Sequence, residues 1–329
     1  MKKTYLVFLL YVTLFLNARA QVLTQHAVEG IKHIADMHFF NDSTGVLVGQ
    51  QSIVRTTNRG ESWRVVYGKG TKDIMLSSVA FFENSLTGFA VGSRWDYGEV
   101  ALILKSSDGG MHWDSLASGF HDTRYVPQTV ICSGVMNVIV IGTAGSVIGS
   151  GDAGKSWTRF IDGTAWNYNV DDALVWAGRF FVANGSVFRS DSLTQWLNIG
   201  IDTVRKQQIE LYALEAVGER LFASGMQKGF RPAICYTTNY GTTWLRALCP
   251  TKGCLWDLRF RNEQVGYACG TEENSQAGSI GLIYYTKTAG EIWYQYEPQL
   301  DFPPLYGLDL TPSYIYYFGD NFILRQSGS

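Results

Sequence analysis

The chain of 329 residues has only 7 prolines and 5 cysteines, and only 17% of its residues are charged. So little charge, with 46% hydrophobic residues, excludes a disordered polyelectrolyte and allows a large buried core. No run of lysine or arginine is present, and nucleic-acid binders carry such a basic footprint, so no nucleic-acid partner is expected. The cysteines Cys132, Cys235, Cys249, Cys254 and Cys269 form no Cys/His set with zinc spacing, and no Gly-x-Ser-x-Gly elbow occurs. No cofactor and no metal are expected. Apolar runs are short throughout. The one at the start, Tyr5 to Leu16, falls below the about 20 residues that span a bilayer.

That first run has another reading. Lys2 and Lys3 precede it and Ala18-Arg19-Ala20 follows, which together make the three parts of a secretory signal peptide. Cleavage is expected after Ala20, giving a secreted or periplasmic protein with no stable membrane insertion. Loss of Lys2, Lys3 and Arg19 leaves 24 basic against 29 acidic side chains. We expect residues 21–329 to form one domain and a monomer.

What the chain has in quantity is 35 glycines, 10 tryptophans and 18 tyrosines, the profile of short strands joined by tight turns. Aligned on tryptophan, a repeat emerges. Thr56-Thr57-Asn58-Arg59-Gly60-Glu61-Ser62-Trp63 returns as Ser106 to Trp113 around Asp108 and Gly110, and as Ser150 to Trp157 around Asp152 and Gly154. It returns again as Thr237 to Trp244 around Asn239 and Gly241, and as Thr286 to Trp293 around Thr288 and Gly290. Ser190 to Trp196 is a worn copy, one residue short and without the glycine. The template is Ser/Thr-x-Asp-x-Gly-x-x-Trp, an Asp box.

The box has a physical logic. An Asp or Asn side chain bonds backbone N–H groups across a turn, the glycine takes a positive φ at no steric cost, and the tryptophan buries a large ring as the next strand opens. A calcium loop is the rival reading, but Asn58, Asn239 and Thr288 replace the carboxylate in three copies. The boxes are therefore expected to be structural.

Tryptophans 63, 113, 157, 196, 244 and 293 are 50, 44, 39, 48 and 49 residues apart. Upstream of most boxes lies an apolar stretch ending in glycine, as in Gly45 to Gly49, Gly88 to Gly92, Val138 to Gly142, Leu221 to Gly225 and Gly266 to Gly270. A period of about 40–45 residues with several short strands per unit is that of propeller blades. About seven units fit, so the fold expected is an all-β seven-bladed propeller. The seventh unit shows three strands, Leu305 to Leu310, Tyr314 to Gly319 and Phe322 to Gln326, and no box. Gln21 to Val28 is expected to supply its fourth strand and close the ring.

The segment Phe81 to Gly92 followed by Lys105 to Trp113, with its counterpart Phe39 to Gly49, closely resembles the photosystem II assembly and stability factor family. Weaker versions extend over nearly all of residues 21–329. The resemblance implies an Asp-box propeller. A propeller with no recognised catalytic set is expected to be a non-enzymatic binding or assembly module, contacting a protein or glycan. A glycan hydrolase on the same fold is the alternative. Sialidases share the boxes but need three converging arginines, a Tyr-Glu pair and an Asp; Phe230-Arg231-Pro232 is a faint likeness to their motif, lacks its Ile and falls in the fifth unit. A two-carboxylate glycosidase would place its pair in a cleft opposite the boxes.

Loops on that opposite face are the expected contact surface, because they carry aromatic and arginine residues. The candidates are Arg94, Trp95, Asp96 and Tyr97, then His121, Arg124 and Tyr125, then Trp166, Tyr168, Arg231, Glu272 and Glu273. Ordinary solvated loops with locally packed aromatics are the plain alternative. For Cys249 and Cys254 two readings stand, a disulfide across the link between units five and six, or small buried hydrophobes.

Overall fold

The computed structural model describes residues 23–95, 100–117, 125–161, 170–200, 209–250, 252–274, 278–296 and 302–327. Five four-stranded antiparallel sheets, and an eight-stranded one that is two such units joined through the single pair Gln50–Met75, make seven blades. Their innermost strands are Lys32–Phe39, Ile74–Phe81, Pro127–Ser133, Asp172–Trp176, Ile209–Val217, Cys254–Phe260 and Gly307–Leu310. Leu23–Ala27 pairs antiparallel with Phe322–Ser327 as the fourth strand of the seventh blade. The ring thus closes as expected, and both strands exchange edges that would otherwise be open. Phe39 of the first blade stacks on Tyr316 of the last, centroids 3.7 Å apart, across that closure.

Each box turn joins a third strand to a fourth, and its hydrogen bonds follow the expected chemistry. The Asp108 carboxylate accepts the Met111 and His112 N–H groups at 3.0 Å, and Asp152 accepts those of Lys155 and Ser156 at 3.0 and 2.9 Å. Asn58 and Asn239 do the same for Ser62 and Thr243, and the Thr288 hydroxyl serves Ile292. Gly60, Gly110, Gly154, Gly241 and Gly290 all have φ between +77° and +83°. The Ser or Thr opening each box, a position with no assigned role at the level of sequence, accepts that glycine's N–H at 2.8–3.2 Å. In the worn copy Ser190 instead accepts the N–H of Leu193, a buried leucine forced to φ 65°. Four tryptophans meet a phenylalanine edge-on, Trp63 with Phe39, Trp113 with Phe81, Trp157 with Phe89 and Trp293 with Phe260. Trp244 anchors differently, donating its indole N–H to the Ile199 carbonyl at 2.9 Å.

The glycine near the end of the second strand in five of the blades has its own cause. At Gly49, Gly92, Gly142, Gly225 and Gly270 a Cβ would come within 2.7 Å or less of a backbone carbonyl near the start of the innermost strand, those of His33, Met75, Val126, Glu210 and Cys254. Beside these glycines the innermost strands break register, skipping Ala35, Ser77, Gln128, Tyr212 and Trp256. Such a bulge turns two consecutive side chains to one side. Here that side is the central channel. Among the described residues no helix is long and apolar enough to cross a membrane.

Candidate functional site: the central channel and its mouth

Side chains of the innermost strands clamp every blade to the next. Asp36 accepts the N–H of Val79 at 2.9 Å, Ser78 that of Val130 at 3.4 Å, and Gln128 that of Val170 at 2.7 Å. Asp172 then accepts from Leu214 at 2.8 Å, Glu215 from Phe260 at 3.2 Å, Asp257 from Leu308 at 2.9 Å and Asp309 from Phe39 at 2.6 Å. The four aspartates use their other oxygen on the N–H of the residue that follows, Met37, Ala173, Leu258 or Leu310. Both oxygens of each are engaged, so a charged group sits in the wall without an unmet acceptor.

These carboxylates share one half-buried cation. Arg259 lies 2.8 Å from Asp257 and 3.9 Å from Glu215, and also donates to the Leu258 carbonyl. Burial pushes Asp36 and Glu215 up to about 7 and Asp257 up to about 6, with Arg259 pulling against it. Asp172 and Asp309 are raised for the same reason. Burial works against the Arg259 charge, but Asp257, Glu215, Asp172 and Asp309 together keep it ionised.

The channel opens on the face opposite the boxes, since antiparallel order puts the start of every innermost strand there. An open cavity at this mouth is lined by the bulge residues Ala35, Ser77, Gln128, Tyr212 and Trp256, with Asp171 and Tyr306 completing the rim. Below it lies the clamp row, including Asp36, Asp172 and Asp257. A second cavity of about 640 Å³ continues the channel past His38 and Asp309. The deeper row repeats, four aspartates in seven blades; the rim does not. Small residues, Ala35 and Ser77, occupy one side and large ones, Tyr212, Trp256 and Tyr306, the other.

On the large side the Tyr212 and Trp256 rings lie 5.0 Å apart and tilted by 31°. Tyr212 donates its hydroxyl to Glu210 at 2.6 Å and Trp256 its indole N–H to Thr271 at 3.2 Å, so both rings are held by their polar ends. Tyr306 is 41% exposed. Asp171 is pushed up to about 6 by partial burial, opposed by the Gly185 N–H and assisted by the neighbouring charges of Asp172 and Glu210. A separate hollow of about 800 Å³ on the same face of the first blade is rimmed by Lys32, Lys69 and Lys72.

Among the described residues, the rim is not built from the loop residues singled out in the sequence. Arg94 ends the second strand of blade two and Trp95 follows it; Trp95 is 54% exposed, and its backbone N–H donates to the Asp73 carbonyl. Arg231 opens the third strand of blade five, and Glu272 and Glu273 lie in the second strand of blade six, where Glu272 pairs with Lys252 at 3.7 Å. Tyr125 packs beside the buried cluster around Phe89 and Val130. None of these six lines the channel. Asp96, Tyr97, His121, Arg124, Trp166 and Tyr168 lie outside the described residues, as does the segment 1–20. The signal for the rim was present in the sequence as Tyr212, Trp256 and Asp171 beside the repeated channel positions. The disulfide reading is corrected. All five cysteines are free, and burial pushes the thiols of Cys249 and Cys254 up to about 12. Cys249 points its thiol at the Ala247 carbonyl instead, while Cys254 is sealed at the start of an innermost strand.

Comparison with known proteins is consistent across sequence and structure. A "Photosystem II assembly lipoprotein Ycf48" from Synechococcus sp. (strain CC9902) is 26% identical over 133 residues, 40% of this chain and 37% of that relative, so the match spans little over a third of its length. The solved structure "YCF48 bound to D1 peptide" superposes with a TM-score of 0.70 at 16% identity, covering 93% of this chain and 97% of that one. A GH74 enzyme from Niastella koreensis reaches a TM-score of 0.69 at 11% identity, covering 92% of this chain and 53% of its own, which marks a shared fold. Residues 17–189, more than half of the chain, match the family described as "Photosynthesis system II assembly factor YCF48", and the chain belongs to that family of β-propellers.

Proposed function

We propose that this chain is an exported, non-enzymatic assembly propeller that holds a protein partner at the mouth of the central channel. The observation that carries this is the contrast between the two channel rows. Six of the seven clamps come from the deeper positions and only Gln128 clamps from the rim, whereas the rest of the rim departs from the repeat and gathers aromatic side chains in a concave site, the composition of a contact surface. The relative solved with a D1 peptide makes peptide binding on this fold a supported precedent. Glycoside hydrolysis needs one carboxyl as acid and a second as base or nucleophile. The oxygens of Asp36, Asp172, Asp257 and Asp309 are instead spent on backbone N–H groups, which argues against the hydrolase despite the fold shared with a GH74 enzyme.

Photo-crosslinking of residues 21–329 in the native envelope fraction tests the reading, with the Tyr212→Ala/Trp256→Ala double variant alongside. One protein partner, its yield reduced about tenfold by the double variant, supports it. Hydrolysis of a sialoside or polysaccharide panel by the purified protein would overturn it, as would capture indifferent to the rim. N-terminal sequencing of the envelope form is expected to begin at Gln21.

A further inference from the structure

We infer that the channel mouth receives a cationic side chain, lysine or arginine, from the partner's peptide. This rests on the reading that the partner docks on this face. Three observations combine. First, the aromatic side of the rim is preorganised: Tyr212 and Trp256 are pinned by Glu210 and Thr271 and line the cavity, with Tyr306 exposed beside them. Aromatic rings held at a cavity wall attract a cation that reaches their faces, through the ring quadrupole.

Second, the rim's charge is unmet. Asp171 is exposed, and its carboxylate accepts one bond, from the Gly185 backbone; Glu210 is engaged by the Tyr212 hydroxyl. Among the described residues no lysine, arginine or histidine forms an ion pair with either. Third, the one arginine among the described lining residues is already committed, because Arg259 is held in the deeper row by Asp257, Glu215 and the Leu258 carbonyl. An entering carboxylate or phosphate would face Asp171, Asp36 and Asp257 and would have to compete with them for Arg259. An entering ammonium or guanidinium meets the aromatic rings first and carboxylates behind them, a gradient that a snorkelling lysine or arginine stem fits.

The test uses ¹⁵N-labelled residues 21–329 and follows the Trp256 indole N–H resonance, assigned with Trp256→Phe. Acetyl-Gly-Lys-Gly-amide and acetyl-Gly-Arg-Gly-amide are expected to move it saturably, whereas acetyl-Gly-Glu-Gly-amide and cellobiose leave it in place. Asp171→Asn is expected to weaken the lysine peptide at least fivefold; Asp171 clamps no blade, and an unchanged amide spectrum elsewhere shows that the fold is kept. A response to the glutamate peptide or to cellobiose equal to that of the cations overturns the inference, and so does an unchanged affinity in Asp171→Asn. Failure here with rim-dependent capture of a partner leaves the docking reading standing. Cation binding without any captured partner does the reverse.

Discussion

The Asp309 carboxylate of the seventh blade accepts the backbone N–H of Phe39 in the first at 2.6 Å, joining residues 270 positions apart. It is the last of seven such clamps and the only one that bridges the ring closure. With the Leu23–Ala27 strand and the Phe39–Tyr316 stack it holds the closure at three radii.

Removing that carboxylate leaves two backbone donors without their acceptor, those of Phe39 and Leu310. Asp309→Ala is therefore expected to cost about 1–3 kcal/mol, and Asp309→Asn, which keeps one acceptor, about half of that. Asp257→Ala is expected to cost more, about 3–5 kcal/mol, because it also strips Arg259 of its partner at 2.8 Å. Urea unfolding of the three variants against the parent ranks them; equal costs would remove the arginine from the account.

Stability should depend on pH with two limits. Asp36, Glu215 and Asp257 are raised above the ordinary carboxylate range, so folding takes up protons and their contribution is lost as pH rises through about 6 to 7. In the boxes Asp108 is only slightly desolvated and the His112 and Ser106 bonds hold it down to about 2, so its contribution is lost as pH falls below about 4. Maximum thermal stability is expected between about pH 4 and 6. A melting temperature that rises steadily from pH 5 to pH 8 would contradict the assignment of the channel groups.

Box glycines differ from loop glycines in what a side chain would meet. At Gly290, φ is +78° and an added Cβ collides with the Phe222 ring, so Gly290→Ala is expected to cost about 2–4 kcal/mol from backbone strain and overpacking together. Gly70 has φ +82° and open space around it, so Gly70→Ala carries only the backbone cost of about 1 kcal/mol. Thermal denaturation of both variants separates the two effects.

The five thiols should be inert in the folded protein. Burial pushes Cys132, Cys249 and Cys254 up to about 12 and Cys235 up to about 11, so little thiolate exists at neutral pH. Iodoacetamide at pH 8 is expected to label native protein slowly and all five cysteines after unfolding in guanidinium. Intact mass without reductant checks the absence of a Cys249–Cys254 bridge.

The blades, their number and the box turns are readable in the chain because each depends on residues a few positions apart, repeated at one period; the closing strand is readable as the fourth strand that the last unit lacks, although Leu23 pairs with the distant Gln326. Asp108 finds the N–H of His112 four residues on, and any sequence that carries the box carries the turn. Even the glycines near the ends of the second strands are visible as a motif, although their cause, a bulged neighbouring strand, is not. The channel and its mouth are of another kind. Asp36, Asp257 and Asp309 appear as single aspartates and Asp172 as the second of a pair, each before an apolar residue, and nothing in one blade says that four will face one axis around Arg259. Tyr212 and Trp256 lie in consecutive blades and acquire a shared face only when the bulges turn both inward. Local hydrogen bonding writes the turns, whereas closing the ring brings distant strands to one axis and so makes a site of residues that are far apart in the chain.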